Sequence, residues 1–198
     1  MARALVAITG ASGAVYGVRL VQRLLSADVA TEVIVSRSAR RVLDIELGLR
    51  GDPAAYLASD GLAPRAWEPD DLLAPPASGS TAPDIMLVAP CSMGTAAAIL
   101  AGTSDNLVER AADVMLKERR PLVIVPRETP LSTLHLRHLA QLSELGVRVV
   151  PAMPAFYFGP RSMEELVEFV VDRAIQAAGL GLPLRHPWEG PPGAAERG

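Results

Sequence analysis

Arg110, Lys117, Arg127 and Glu128, with the hydroxyls of Ser92, Thr95, Thr129 and Ser132, crowd into the stretch from Ala89 to Ser132. An apolar, strand-like run, Ile85–Ala89, ends there in Pro-Cys-Ser-Met-Gly-Thr, small and hydroxylated residues that suit a helix start. A helix start offers free backbone N–H groups to an anion, and Ser92 and Thr95 add hydroxyls. Asp105-Asn106 then reads as the cap of a helix carrying Arg110 and Lys117. Seven residues make about two turns of ~3.6 residues, which puts both cations on one face roughly 10 Å apart. A second apolar run, Leu122–Val125, delivers Arg127, Glu128, Thr129 and Ser132 at its carboxyl end, where parallel α/β sheets hold ligands. The expectation is one rim where two cations, an acid and several hydroxyls meet an anionic ligand such as phosphate. Glu128 is expected beside the two cations.

Lys117 is the only lysine among 19 basic residues. At a phosphate, lysine is a compact point charge and arginine a planar fork, so the two are not equivalent. A surviving lysine on a solvated helix face would read the same way.

The elements that must position these groups follow a strand–helix rhythm. Leu5–Thr9 is a short apolar run ending in Gly10-Ala11-Ser12-Gly13-Ala14, and Val15–Leu25 then shows helical spacing. Strand, glycine turn and helix open a nucleotide-binding unit, although GxxG is a looser pattern than GxGxxG and a bare tight turn looks alike. Thr31–Val35 reads as a second strand ending at Ser36, followed by a helix from Ser38 to about Leu47. Glu46 stands there among Leu43, Ile45 and Leu47, so it is the charge on that helix that can point inward. Gly51 to Pro83 breaks the pattern and reads as a long Pro/Ala/Ser-rich loop. Within it Ser78-Gly79-Ser80 suits an oxyanion nest, and equally an ordinary surface loop. Leu131–Leu145 is a helix with His135 and His138, which lack an HxxxH spacing and read as structural. Val147–Val150 is a strand, Glu164–Ala178 a last amphipathic helix with Arg173, and the residues after Trp188 a disordered tail.

Alternating strands and helices imply an α/β three-layer sandwich with a mainly parallel sheet, one domain over residues 1–188. The 198 residues suffice for a large core of Ala, Val, Leu and Ile, because aromatics are only 4%. A net charge of −3 argues against a nucleic-acid surface. A single cysteine, Cys91, excludes an internal disulfide and a CxxC metal site. No apolar run approaches the ~18 residues of a membrane span, so a cytoplasmic location is expected.

The motifs TGASGAVYG, APPASGS, APCSMGT, DNLVERAADVMLKERRPLVIVPRETPLS, PAFYF and FVVDR together resemble the UbiX-type flavin prenyltransferases over nearly the whole chain. The resemblance implies a Rossmann-like (flavodoxin-like) fold, a homododecamer and no metal. It implies transfer of a dimethylallyl group from dimethylallyl monophosphate to N5 and C6 of reduced FMN, giving prenylated FMN for a partner decarboxylase. By position, Gly10, Ala11, Ser12, Ser36, Ser92, Met93, Gly94, Thr95 and Arg127 match flavin contacts. Ser78, Gly79, Arg110, Lys117, Tyr157 and Arg173 match the surroundings of the prenyl phosphate, some of them supplied by a neighbouring subunit. Ser12, Glu46, Lys117 and Glu128 match catalytic positions, with Glu128 beside the leaving phosphate and Glu46 near the reaction centre. Ser36-Arg37 at the end of the second strand, where a dinucleotide site places an acid for the ribose, agrees with FMN rather than NAD. One departure is Leu72, which stands where many relatives carry an aromatic residue able to shield an allyl cation. Two other readings share the flavin turn. A cysteine-decarboxylase-like enzyme would lack the RAADVMLKERR cation pair, and a non-catalytic flavin carrier or decarboxylase subunit would leave Lys117, Glu128, Tyr157 and Arg173 without a task.

Overall fold

The apolar runs become the inner strands of one sheet. In a computed structural model that describes residues 2–188 and 190, six strands run β1 (Arg3–Ile8), β2 (Ala30–Val35), β3 (Arg65–Trp67), β4 (Ile85–Cys91), β5 (Leu122–Pro126) and β6 (Arg148–Val149). Their order across the sheet is β3-β2-β1-β4-β5-β6, and every pairing is parallel. Strands buried on both faces read as continuous apolar stretches, and β4 and β5 are buried at every position.

Alternation along β1 sorts the core into two layers. Ala4, Val6 and Ile8 face α1 (Ala14–Leu25), α2 (Arg37–Leu47) and α7 (Met163–Ala178), whereas Leu5 and Ala7 face α4 (Met93–Ala101), α5 (Leu107–Lys117) and α6 (Thr133–Glu144). This is the three-layer sandwich expected from the sequence. The expectation of a long loop from Gly51 to Pro83 is corrected: the segment holds α3 (Pro53–Tyr56), the edge strand β3 paired to β2, and a 3-10 turn at Pro75–Ala77. Arg65–Trp67 escapes a reading by periodicity because it is three residues long and only partly covered, and its pairing defines it. The expected tail after Trp188 lies outside the described residues, Gly190 apart. Among the described residues, no helix is long and apolar enough to cross a membrane.

The chain leaves β1 toward β2 on one side and later returns to place β4 on the other. That reversal is a topological switch point, and ligands bind outside the carboxyl ends of the strands beside it.

Candidate active site

Thr9, just beyond β1, ties the two strands of the switch point together. Its buried hydroxyl donates to the Pro90 carbonyl at 2.8 Å and accepts from the Ser92 N–H at 2.9 Å. The next residue must be glycine, because a Cβ on Gly10 would collide with the Ser38 hydroxyl and lie 2.7 Å from the Ser38 Cβ. Ser36 caps α2 by accepting from the Ala39 N–H at 3.1 Å, and its own N–H donates to the Ile8 carbonyl at 3.0 Å. From the end of β5, Arg127 reaches across, its Nε donating to the Ser12 carbonyl at 2.8 Å. Gly10, Ala11, Ser12, Ser36, Ser92–Thr95 and Arg127 therefore share the carboxyl rim, as the sequence led us to expect. A groove of about 390 Å3, lined by Ser36, Ser38, Asp70 and Asn106 among others, opens beside them.

Two helices of the switch point, α1 after β1 and α4 after β4, start on this rim, and of this pair only α4 is open. At α1 the Glu46 carboxylate accepts from the Gly13 N–H at 2.9 Å and the Ala14 N–H at 2.8 Å. That acid takes the donors a phosphate would need. At α4 the Ser92 hydroxyl accepts from the Thr95 N–H at 3.2 Å and pairs with the Thr95 hydroxyl at 3.0 Å. Among the described residues the N–H groups of Met93 and Gly94 find no hydrogen-bond partner. An anion on this rim is thus directed to α4, where those donors and the helix dipole act together. The donor set fits the phosphate of a mononucleotide flavin.

The cations divide differently from the expectation. Arg110 and Lys117 do share a face of α5, and the loop after Pro75 runs along it. Arg110 Nε donates to the Ala77 carbonyl at 3.0 Å, and a Cβ on Gly79 would lie 2.9 Å from Lys117 Nζ. Ser78, Gly79, Arg110 and Lys117 form one cluster, with Ser78 Oγ 3.0 Å from Ser80 Oγ. But α5 descends. It starts at the carboxyl rim, where the Leu107 N–H donates to Pro69 beyond β3, and ends where Arg120 binds the carbonyls of Ala82 and Pro83 ahead of β4. Eleven residues at ~1.5 Å each carry Lys117 roughly 16 Å from the rim. The expectation of a single rim, with Glu128 beside Lys117, is therefore corrected: the two lie beyond opposite ends of β5. Lys117 donates instead to Glu118, and Glu128 is exposed, its Oε1 accepting from the Thr129 N–H at 3.0 Å.

Tyr157 and Arg173 form a third group. The Tyr157 hydroxyl donates to the His186 carbonyl at 3.0 Å, and its ring packs edge-on against Phe158, Phe169 and Trp188 at 5.1–6.0 Å. Arg173 donates to Gln176 and borders a groove of about 360 Å3 with Pro151, Met153 and Phe169. Within one chain neither residue has a hydrogen bond or ion pair to Lys117, Arg110 or Glu128. Leu72 is half exposed, and Trp67, committed through its N–H to Glu32 at 2.5 Å, does not stand in for it.

Electrostatics follow contact and burial. The Lys117 ammonium, by hydrogen bond and charge, holds the Glu118 carboxyl below its ordinary range. Burial pushes the Cys91 thiol up to about 12. Burial also raises the Tyr16 phenol, against the opposing charge of Arg127. Sequence reading missed Thr9, the acids Asp113 and Glu118, and the capping role of Glu46. For Thr9 the signal was a hydroxyl placed directly before the glycine turn. His135 is structural as expected: its Nδ1 accepts from the Ser132 N–H at 3.3 Å in a capping box.

The flavoprotein family model matches residues 1–175. The flavin prenyltransferase UbiX of Pseudomonas aeruginosa is 43% identical over 195 residues, covering 94% of this chain and 93% of its own. A dodecameric FMN-dependent UbiX-like decarboxylase from Escherichia coli O157:H7 superposes with a TM-score of 0.87 at 44% identity, over 95% of this chain and all of that one. A UbiX protein solved with FMN and dimethylallyl pyrophosphate superposes with a TM-score of 0.88 at 38% identity, over 96% and 98%. With the glycine turn, the open α4 terminus and the α5 cluster in their places, the chain belongs to the flavoproteins and, among them, to the UbiX-type flavin prenyltransferases.

Proposed function

We propose that this protein joins a dimethylallyl group from dimethylallyl monophosphate to N5 and C6 of reduced FMN, making prenylated FMN for a separate decarboxylase. The observation that carries the reading is two clusters of N–H donors, hydroxyls and cations of different build. The open start of α4 with Ser92, Thr95 and nearby Arg127 suits the flavin phosphate. The Ser78–Gly79–Arg110–Lys117 cluster suits the prenyl phosphate. Because Lys117 lies roughly 16 Å from the rim, the working site joins the rim of one chain to the α5 cluster of another. A homo-oligomer, as in the dodecameric relative, supplies that junction.

Reduced FMN provides the nucleophilic N5 and C6. The chain provides the rest. An allylic monophosphate leaves slowly unless its developing charge is met by preorganised donors. Arg110, Lys117 and Arg173 supply positive charge, Tyr157 a phenolic donor, and Glu128 a proton for the leaving oxygen. Gly10–Ser12, with Ser12 held through its carbonyl by Arg127, would hold the flavin, and Glu46 keeps that turn in place through its backbone hydrogen bonds to Gly13 and Ala14. Ser12 and Glu46 would then handle the flavin proton. A cytoplasmic location belongs to the same reading, since an oxidising compartment would not supply reduced flavin.

The test is anaerobic incubation with reduced FMN and dimethylallyl monophosphate, followed by mass spectrometry of the flavin. A flavin heavier by one prenyl unit is expected. Unchanged flavin, with FMN bound, would overturn the reading in favour of a flavin carrier.

A further inference from the structure

Each cation of the α5 cluster arrives with an acid of its own. Arg110 Nη1 donates to Asp113 Oδ2 at 2.8 Å, and Lys117 Nζ donates to Glu118 Oε1. The pairs stand against the backbone that would also line the phosphate. Arg110 Nε binds the Ala77 carbonyl, and a Cβ on Gly79 would collide with Glu118 Oε1. Asp113 and Glu118 thus offset the charges of Arg110 and Lys117 before any ligand enters, with Arg120 acting on Glu118 as a further cation. Glu118 stays ionised at neutral pH, because the Lys117 hydrogen bond and charge lower its carboxyl.

Neither acid uses up its cation. An arginine has five N–H donors and a lysine three, so donors remain on both for a phosphate after the acids and Ala77 are served. A ligand therefore meets available N–H groups in a field that is already balanced. One phosphate can share the cations with the two carboxylates. A second phosphate would add negative charge beside the Asp113 and Glu118 side chains, which already share the two cations.

We propose that Asp113 and Glu118 are specificity-determining residues which, by pre-neutralising Arg110 and Lys117, tune the cluster to a monophosphate donor against a diphosphate. The proposal rests on the reading of the α5 cluster as the prenyl-phosphate site. It assigns the discrimination to repulsion as well as to attraction, as selective sites commonly do.

The experiment compares the assembled wild-type protein with Asp113→Asn, Glu118→Gln and the double variant. With reduced FMN, kcat/KM is measured for dimethylallyl monophosphate and for the diphosphate. The double variant is expected to shift the ratio toward the diphosphate on the order of tenfold, each single variant contributing part, with FMN binding unchanged. A merely structural role would lower both donors alike. A ratio that stays within about twofold in all three variants overturns the proposal. The single variants keep the test open should the double fail to fold. If the wild type prenylates flavin with neither donor, the transfer reading fails by itself. The charge proposal is then decided by calorimetry of inorganic phosphate and pyrophosphate on the same proteins. A comparable shift in the ratio of Kd supports it, and an unchanged ratio refutes it.

Discussion

At Lys117 a half-exposed ammonium lies between Glu118 and the backbone of Gly79, at the foot of α5. Truncating a solvated side chain of this kind changes stability little. Lys117→Ala should therefore fold and bind FMN as the wild type does, since the proposed flavin contacts lie at the other end of the sheet. Turnover with saturating prenyl phosphate should fall at least ~100-fold, the usual cost of one lost donor to a developing charge. Lys117→Arg should restore only part of it, because a fork does not reproduce a point charge. Normal turnover by Lys117→Ala in steady-state assays would make Lys117 a surface lysine. Cys91 offers a separate, pH-dependent check. Its thiol rises from 9.0 to about 12 through burial, so in the folded chain it stays protonated where the unfolded chain begins to ionise. Between those values the unfolded state binds fewer protons, and stability must fall as pH rises. Urea unfolding at pH 8 and pH 10 should show that loss, and Cys91→Ala should lessen it. An equal loss in the variant would assign the alkaline destabilisation to other groups.

Among the elements, α1 sits closely on the sheet at Gly17. A Cβ on Gly17 would collide with the Ala89 carbonyl and lie 2.8 Å from Ile8 Cγ1, so the helix is pressed onto β1 and β4 beside the rim. Gly17→Ala should lower stability by about 1–3 kcal/mol, the range for overpacking a close contact, although alanine favours helix. A Tm equal to that of the wild type would show that α1 can move outward freely. The same scale explains what the sequence made legible. Apolar runs located the inner strands to within a residue or two, and the residues at their carboxyl ends proved to be the rim. Arg110 and Lys117 were correctly placed on one face by spacing. The distance of Lys117 from Glu128 was misjudged because spacing fixes a face and says nothing of which end of the sheet a returning helix reaches. Asp113 and Glu118 carry no local signal in the sequence, since only the fold sets their ion pairs against the loop at Ala77 and Gly79. Glu46 was read as a possible inward acid. Its role at α1 depends on α2 packing alongside, a contact between elements that no local pattern encodes.

At the scale of the whole molecule, the candidate groups form three sets in one chain: the flavin rim, the α5 cluster, and Tyr157 with Arg173. Large apolar side chains remain exposed around the last set and on α6, including Met153, Phe156, Met163, Leu134 and Leu136. Surfaces of that kind suit burial between like subunits. The central claim is that prenyl transfer takes place where the rim of one chain meets the α5 cluster of another. Mixing two inactive variants tests it most directly. Lys117→Ala and Glu128→Gln chains are each expected to form assemblies with little activity. Dissociated, combined in equal amounts and reassembled, they should recover about one quarter of wild-type turnover, because random pairing leaves that share of junctions with both residues intact. If the mixed assemblies remain as inactive as their parents, both residues act from a single chain, and the divided site described here is wrong.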